Sequence, residues 1–217
     1  MSDRGGGESV RLMLTFNEFL QITAQKGGTI NTMFEERMFA LVGTLERIAG
    51  SLAAEKIPYE VIGGMAVMIQ VHRVDASAVR NTKDIDIMIR RTDLERIKAV
   101  AKQHGFSFRH SAGVDMLLPP GETNARSGVH LVFTGEKVRP NQALANPVLR
   151  PEHLSVHGVE IAVIPVADLV RMKLSNNRDI DRVHIRDLDS ADLITTEVEK
   201  GLPSILRTRL QEIRSQE

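Results

Sequence analysis

The stretch RNTKDIDIMIR, residues 80–90, decides how this chain is read. Ile85, Ile87 and Ile89 recur with a period of two, the period of a β-strand, in which successive side chains point to opposite faces. The isoleucines therefore share one face, and Asp84 and Asp86 share the other. Two rises of about 3.3 Å put the carboxylates about 7 Å apart along the strand. Ionised and partly buried, such a pair is costly unless a positive charge lies between its members or both look into open water. Lys83 or Arg80 could supply that charge as salt-bridge partners on a solvated strand face. A hard divalent cation such as Mg2+ could supply it instead, because it takes carboxylate oxygens and substrate phosphates while keeping some waters. Two such ions can clamp an in-line displacement at phosphorus. Taken alone, the pair fits both readings.

About twenty residues upstream, IPYEVIGG (57–64) reads as a short strand ending in Gly63 and Gly64, and MAVMIQVHR (65–73) as a helix opening at that turn. Glycines at such a corner let the backbone approach a phosphate, helped by the first amides of the helix, or they simply make a tight turn. Further upstream, Phe34, Met38, Leu41, Val42, Leu45, Ile48, Ala49 and Leu52 form one apolar stripe, which predicts a long helix over residues 33–55. A short helix is expected at 14–25, after a Gly-rich, polar start. Downstream, TDLERIKAVAKQHGF (92–106) opens with a capping-box pattern, Thr92 followed by Glu95, and closes at Gly105. Strands are expected at 107–110, 114–119, 128–133 and 159–165, with a Pro-rich loop over 140–153. Helices are expected at 166–177, 183–194 and 203–213. The order predicts an α/β (α+β) fold: a mixed β-sheet core over 57–165 with helices packed on it, an N-terminal helical extension over 1–56 and a C-terminal helical region over 166–217.

Composition narrows the function classes. Lys plus Arg and Asp plus Glu balance at 28 each, so net charge points to neither nucleic acid nor membrane. Any nucleic-acid contact would need a local patch, for which Arg73, Arg80, Arg90, Arg91 and Arg109 are the candidates. There is no cysteine, which excludes disulfides, thiol catalysis and Cys-ligated zinc. With no apolar run of membrane-spanning length and no apolar signal core at the start, a cytoplasmic protein is expected. Trp is absent and Tyr occurs once, leaving little to stack on bases. The histidines His72, His104, His110, His153, His157 and His184 show no ligand spacing on a helix and read as structural or surface groups.

A Gly-Gly turn between strand and helix, followed about twenty residues later by Asp-x-Asp on a strand, resembles the nucleotidyltransferase superfamily. The match in VIGGMAV (61–67) and RNTKDIDIMI (80–89) is closest to minimal bacterial proteins related to the toxins of abortive-infection systems. The resemblance continues through PVADLVRMKLSNNRDIDRVHIRDL (165–188), where such proteins carry a Lys and a later Asp-Leu; here these are Lys173 and Asp187. It implies that Gly63 and Gly64 face a nucleoside triphosphate and that Asp84 and Asp86 bind Mg2+ (or Mn2+). A nucleoside monophosphate would then pass to a hydroxyl or similar acceptor: a protein side chain, a tRNA end or a small molecule such as an aminoglycoside. Lys173, with Arg178, could neutralise the triphosphate; each alone also reads as a helix surface charge.

The chain departs from the family at one point. Active members have a third carboxylate on a later strand, and the matching position here is His130. Imidazole is a poor Mg2+ ligand but could act as a base toward the acceptor or bind Mn2+ or Zn2+. Asp115 and Glu136 are possible substitutes. The alternative is a catalytically impaired descendant that binds nucleotide, or acts in a homo-oligomer or a toxin–antitoxin-type pair.

Overall fold

The computed structural model describes residues 29–75, 82–124, 127–156 and 159–216. The helix expected at 14–25, and Arg80 and His157, lie outside them. Helix α1 (Thr29–Ala54) leads to β1 (Glu60–Ile62), α2 (Gly63–His72) and β2 (Ile85–Ile89). A 3-10 turn, Arg91–Asp93, precedes α3 (Leu94–Gln103). Three strands follow: β3 (Ser107–Ser111), β4 (Val114–Leu118) and β5 (Val129–Phe133). Then come β6 (Glu152–Val156), β7 (Val159–Val163), α4 (Val166–Asn176), α5 (Asp179–Ser190), α6 (Thr196–Lys200) and α7 (Ser204–Arg214).

All seven strands form one mixed sheet in the order β3-β4-β5-β2-β1-β7-β6. Its central strand β2 carries Asp86, and the neighbouring β5 carries His130. β2 runs antiparallel to β1 and parallel to β5, while β1 runs parallel to β7. Ile85, Ile87 and Ile89 are fully buried, as the period-two pattern requires. One hydrophobic core runs from Met38 in α1 to Ile213 in α7. From Met38 to Leu52 the apolar stripe of α1 faces that core, and α1 packs on β7 and α3. Helix α2 packs on β1 and β2 and is met by α4 and α5. Among the described residues no helix is long and apolar enough to cross a membrane.

Two local expectations are corrected. Thr92 does not open a capping box: the chain takes a 3-10 turn there, and α3 begins at Leu94 after Asp93, which makes no side-chain cap bond. Gly105 does end α3 in the left-handed region at φ 82°, with the Phe106 amide returning to the Ala101 carbonyl, a Schellman closure. Helix α5 starts at Asp179, four residues before the expected start at 183. Its polar first turn is tied down by Asp181, which accepts from the backbone and side chain of Arg178.

Candidate functional site

The sheet register sets the geometry of the site. Asp86 pairs with Ile62 on one side and with His130 on the other. Cross-strand partners share a face, so Ile62, Asp86 and His130 stand abreast where β1 ends and β5 begins. Nδ1 of His130 lies 3.2 Å from Oδ1 of Asp86. The position at which the resemblance implies a third carboxylate therefore holds an imidazole in contact with the aspartate.

Immediately after Ile62 the chain turns at Gly63, with φ 70°. A Cβ built there would lie 2.1 Å from Oδ2 of Asp86, so no other residue fits this corner without displacing the carboxylate. A Cβ on Gly64 would meet Oγ1 of Thr82 at 2.8 Å and Cε1 of His184 at 3.6 Å. Two distant segments, residue 82 and helix α5, thus close on the glycine corner. Helix α2 opens at that corner behind Ile62, whose side chain has no acceptor to offer its first amides.

Asp84 differs from Asp86. It lies one residue before the first paired position of β2, in a bend where the Thr82 hydroxyl donates to the Asp84 carbonyl at 3.1 Å. The two carboxylates therefore do not both hang from the paired strand: Asp86 does, and Asp84 stands at its mouth. Asp84 also lines a cleft of about 980 Å³ bounded by α1 and the β4–β5 connection.

Lys173 is not a helix surface charge. It is buried in α4, and its ammonium donates to Oδ1 of Asp181 at 3.2 Å. Burial pulls Lys173 below the usual lysine range, opposed by the charges of Asp181 and Asp86. Arg178 donates to both Asp181 oxygens, at 2.6 and 3.1 Å. That pairing raises the guanidinium pKa despite partial burial, and Asp86 adds to the effect. Burial of Asp181 works against its ionisation, but Arg178 and Lys173 more than offset this and hold the carboxyl below the ordinary range. Both cations thus sit within electrostatic reach of Asp86, held by an aspartate on α5. Sequence reasoning passed over Asp181, Thr82 and His184. Of the three, only Asp181 carried a sequence signal, an acid eight residues after Lys173 and three after Arg178.

Asp115 and Glu136 do not stand in for the third carboxylate. Asp115 pairs with Leu131, out of phase with His130, and bonds His110 at 2.6 Å. Glu136 lies beyond the far end of β5 and forms a two-pronged ion pair with Arg91. Asp187 is half-buried in α5. Among the arginines considered for a nucleic-acid patch, Arg73 bonds Gln70 and Glu152, and Arg109 bonds the Thr123 carbonyl.

A second acid lies deeper on the face that carries Asp86. Glu60 pairs with Met88 and is fully buried. One of its oxygens accepts the Arg150 amide, and Oε2 has no partner among the described residues. Burial pushes its carboxyl up to about 7, against the pull of the Arg150 amide, and the charge of Asp168 adds to the rise.

The fold is shared with solved structures. A nucleotidyltransferase-like antigenic protein from Paracoccidioides brasiliensis superposes with a TM-score of 0.53 at 16% identity, covering 81% of this chain and 88% of that one. The structure of ANT(2″)-Ia in complex with adenylyl-2″-tobramycin superposes with a TM-score of 0.51 at 12% identity, covering 81% of this chain and 97% of that one. The fold is therefore that of nucleotidyltransferases. The sequence matches a family model over residues 29–172, and the chain belongs to that family, described as uncharacterised nucleotidyltransferases. No curated protein matches the sequence.

Proposed function

We propose that this protein transfers a nucleoside monophosphate from an NTP to a hydroxyl acceptor, with Mg2+ or Mn2+ held by Asp84 and Asp86. The observation that carries this reading is the close packing of the Asp86 carboxylate on the bare backbone of Gly63, where an added Cβ would lie 2.1 Å from Oδ2, so that the acid and the glycine corner share one place. Two carboxylates are a suitable hard-oxygen donor set for such a cation, which leaves positions for waters and phosphate oxygens. When bound there, the cation would neutralise phosphate charge and orient the reacting group.

The rest falls to the chain itself. Gly63 and Gly64 admit the triphosphate close to the main chain, and the first amides of α2 offer N–H groups to it. Lys173 and Arg178 add positive charge, preset by Asp181, so little reorganisation is needed as charge shifts during transfer. His130, whose Nδ1 contacts Asp86, is the candidate base toward the acceptor. The adenylylated small molecule bound to ANT(2″)-Ia supports this type of transfer for the fold.

A second reading rests on His130 itself. Among the described residues no three His, Asp or Glu side chains converge as metal ligands. On this reading the protein binds nucleotide without transferring it, in a homo-oligomer or with a toxin–antitoxin-type partner.

Thermal melting with Mg2+ or Mn2+ and each NTP tests both. A ligand at 100 times its dissociation constant adds about 2.7 kcal/mol to the state that binds it. The shift should vanish in Gly63→Ala and in Asp84→Asn/Asp86→Asn. No shift in the wild type would refute both readings. A shift without transfer of labelled nucleotide to any component of a cell lysate would favour the second.

A further inference from the structure

We propose that the cleft between α1 and the β4–β5 connection is the acceptor site, and that it takes a small hydroxyl compound bearing a phosphate or carboxylate. This rests on the transfer reading above and names the substrate class for the same site.

The two aspartates look onto different spaces. Asp86 meets the glycine corner, and the cations of α4 and α5 lie within its electrostatic reach. Asp84 opens onto the cleft, whose volume of about 980 Å³ suits a small ligand. A nucleotide on the glycine side and an acceptor in the cleft would meet at the pair.

The lining of the cleft selects the acceptor. Arg47 from α1 and Lys83 beside Asp84 put two cations in its walls, against the single carboxylate of Glu122 once Asp84 is matched by a cation. Among the described residues neither Arg47 nor Lys83 has an ion-pair partner. Asn124 and Ser127 add groups that hydrogen-bond hydroxyls. The cleft sets Arg47 and Lys83 against Asp84 and Glu122; with Asp84 matched by a cation the balance favours an anion over a polycation, and no aromatic side chain lines the cleft to stack a base. One anionic group on a hydroxylated skeleton meets Arg47 and Lys83 and leaves a hydroxyl to reach Asp84. In the transfer, that hydroxyl oxygen bonds the α-phosphorus and the bond from that phosphorus to the β-phosphate oxygen breaks. Pyrophosphate leaves with the electron pair, and the hydroxyl proton passes to His130 and on to solvent.

The test uses the full chain with Mg2+ and a non-hydrolysable NTP analogue, and follows probe binding by ligand-observed NMR. The probes are glycerol 3-phosphate, ribose 5-phosphate and gluconate, with glycerol, ribose, tobramycin and a four-nucleotide RNA for contrast. The phosphates and gluconate separate the two anion sources. At least one anionic probe should bind tenfold or more tighter than its neutral counterpart, and Arg47→Ala should cost that gain. Gly43→Leu fills the cleft from α1, where a Cβ meets nothing within 4 Å. It should weaken the same probe at least tenfold, and in both variants the melting shift from NTP should remain. The inference is overturned if the wild type keeps its NTP shift yet binds no anionic probe. It is equally overturned if tobramycin, the RNA or the neutral compounds bind as well as the anions, or if Gly43→Leu and Arg47→Ala leave anion binding unchanged. Loss of the NTP shift in the wild type would mark failure of the underlying transfer reading instead.

Discussion

Asp86 and Asp181 carry the same functional group, and the protein treats them in opposite ways. Asp181 has no exposed side-chain surface and is held by Lys173 and Arg178. Asp86 is 29% exposed and faces an imidazole on one side and the bare backbone of Gly63 on the other. The first is completed by the chain that makes it. The second is left partly open to solvent. A buried acid with its own cations is structural scaffolding, and that scaffolding positions two positive charges beside an acid kept available.

This contrast can be broken by mutation, and the largest effect should come from the buried side. Asp181→Ala leaves Lys173 as an uncompensated buried charge and should cost about 3–5 kcal/mol in denaturant unfolding. Joining it with Lys173→Met should recover much of that loss. A single-variant cost below about 1 kcal/mol would mean the pair does not hold α4 to α5.

Glu60 sharpens the comparison, since it is as buried as Asp181 but has no cation. Its folded-state pKa of about 7 lies above the ordinary 4.5. Between those values the native state keeps a proton that the unfolded chain has released. Stability from this group is therefore full below about pH 4.5, falls as pH rises through that window and levels off above 7. The loss is at most about 3–4 kcal/mol, at roughly 1.4 kcal/mol per pH unit. Glu60→Gln should gain on the wild type in melting temperature from pH 5 to pH 8; parallel curves would show that Glu60 is ionised throughout.

The smallest effect on folding should come from Asp86→Asn. In metal-free buffer it should change stability by no more than about 1 kcal/mol, because the group is partly solvated and has no dedicated cation. A loss as large as that for Asp181→Ala would erase the distinction between the two acids.

What could be read from the sequence followed local periodicity. The alternation of Ile85, Ile87 and Ile89 marks a central strand, and Gly63–Gly64 marks the corner before a helix, because both signals lie within a few residues. The stripe of α1 is equally legible. The polar run 177–182 gave no such signal, since a buried Asp181 makes sense only once Lys173 and Arg178 are seen around it. Thr92 and Glu95 obeyed a capping rule that the 3-10 turn at Arg91–Asp93 overrode. Thr82 and His184 meet at Gly64 from segments a hundred residues apart, which no local pattern records. Asp84 and Asp86 were legible as a pair but not as occupants of two different spaces.

The parallel pairing of Val61 with Val163 has a consequence for synthesis. A strand made early must wait about a hundred residues for its neighbour, and contacts so distant along the chain form slowly. Until then the nascent polypeptide presents an open sheet edge, the kind of surface that invites association with other chains. A product released before β7 would own both acids and the glycine corner, yet lack Lys173, Arg178 and the strand that flanks β1. Completion of the charged pocket is thereby coupled to nearly full-length translation.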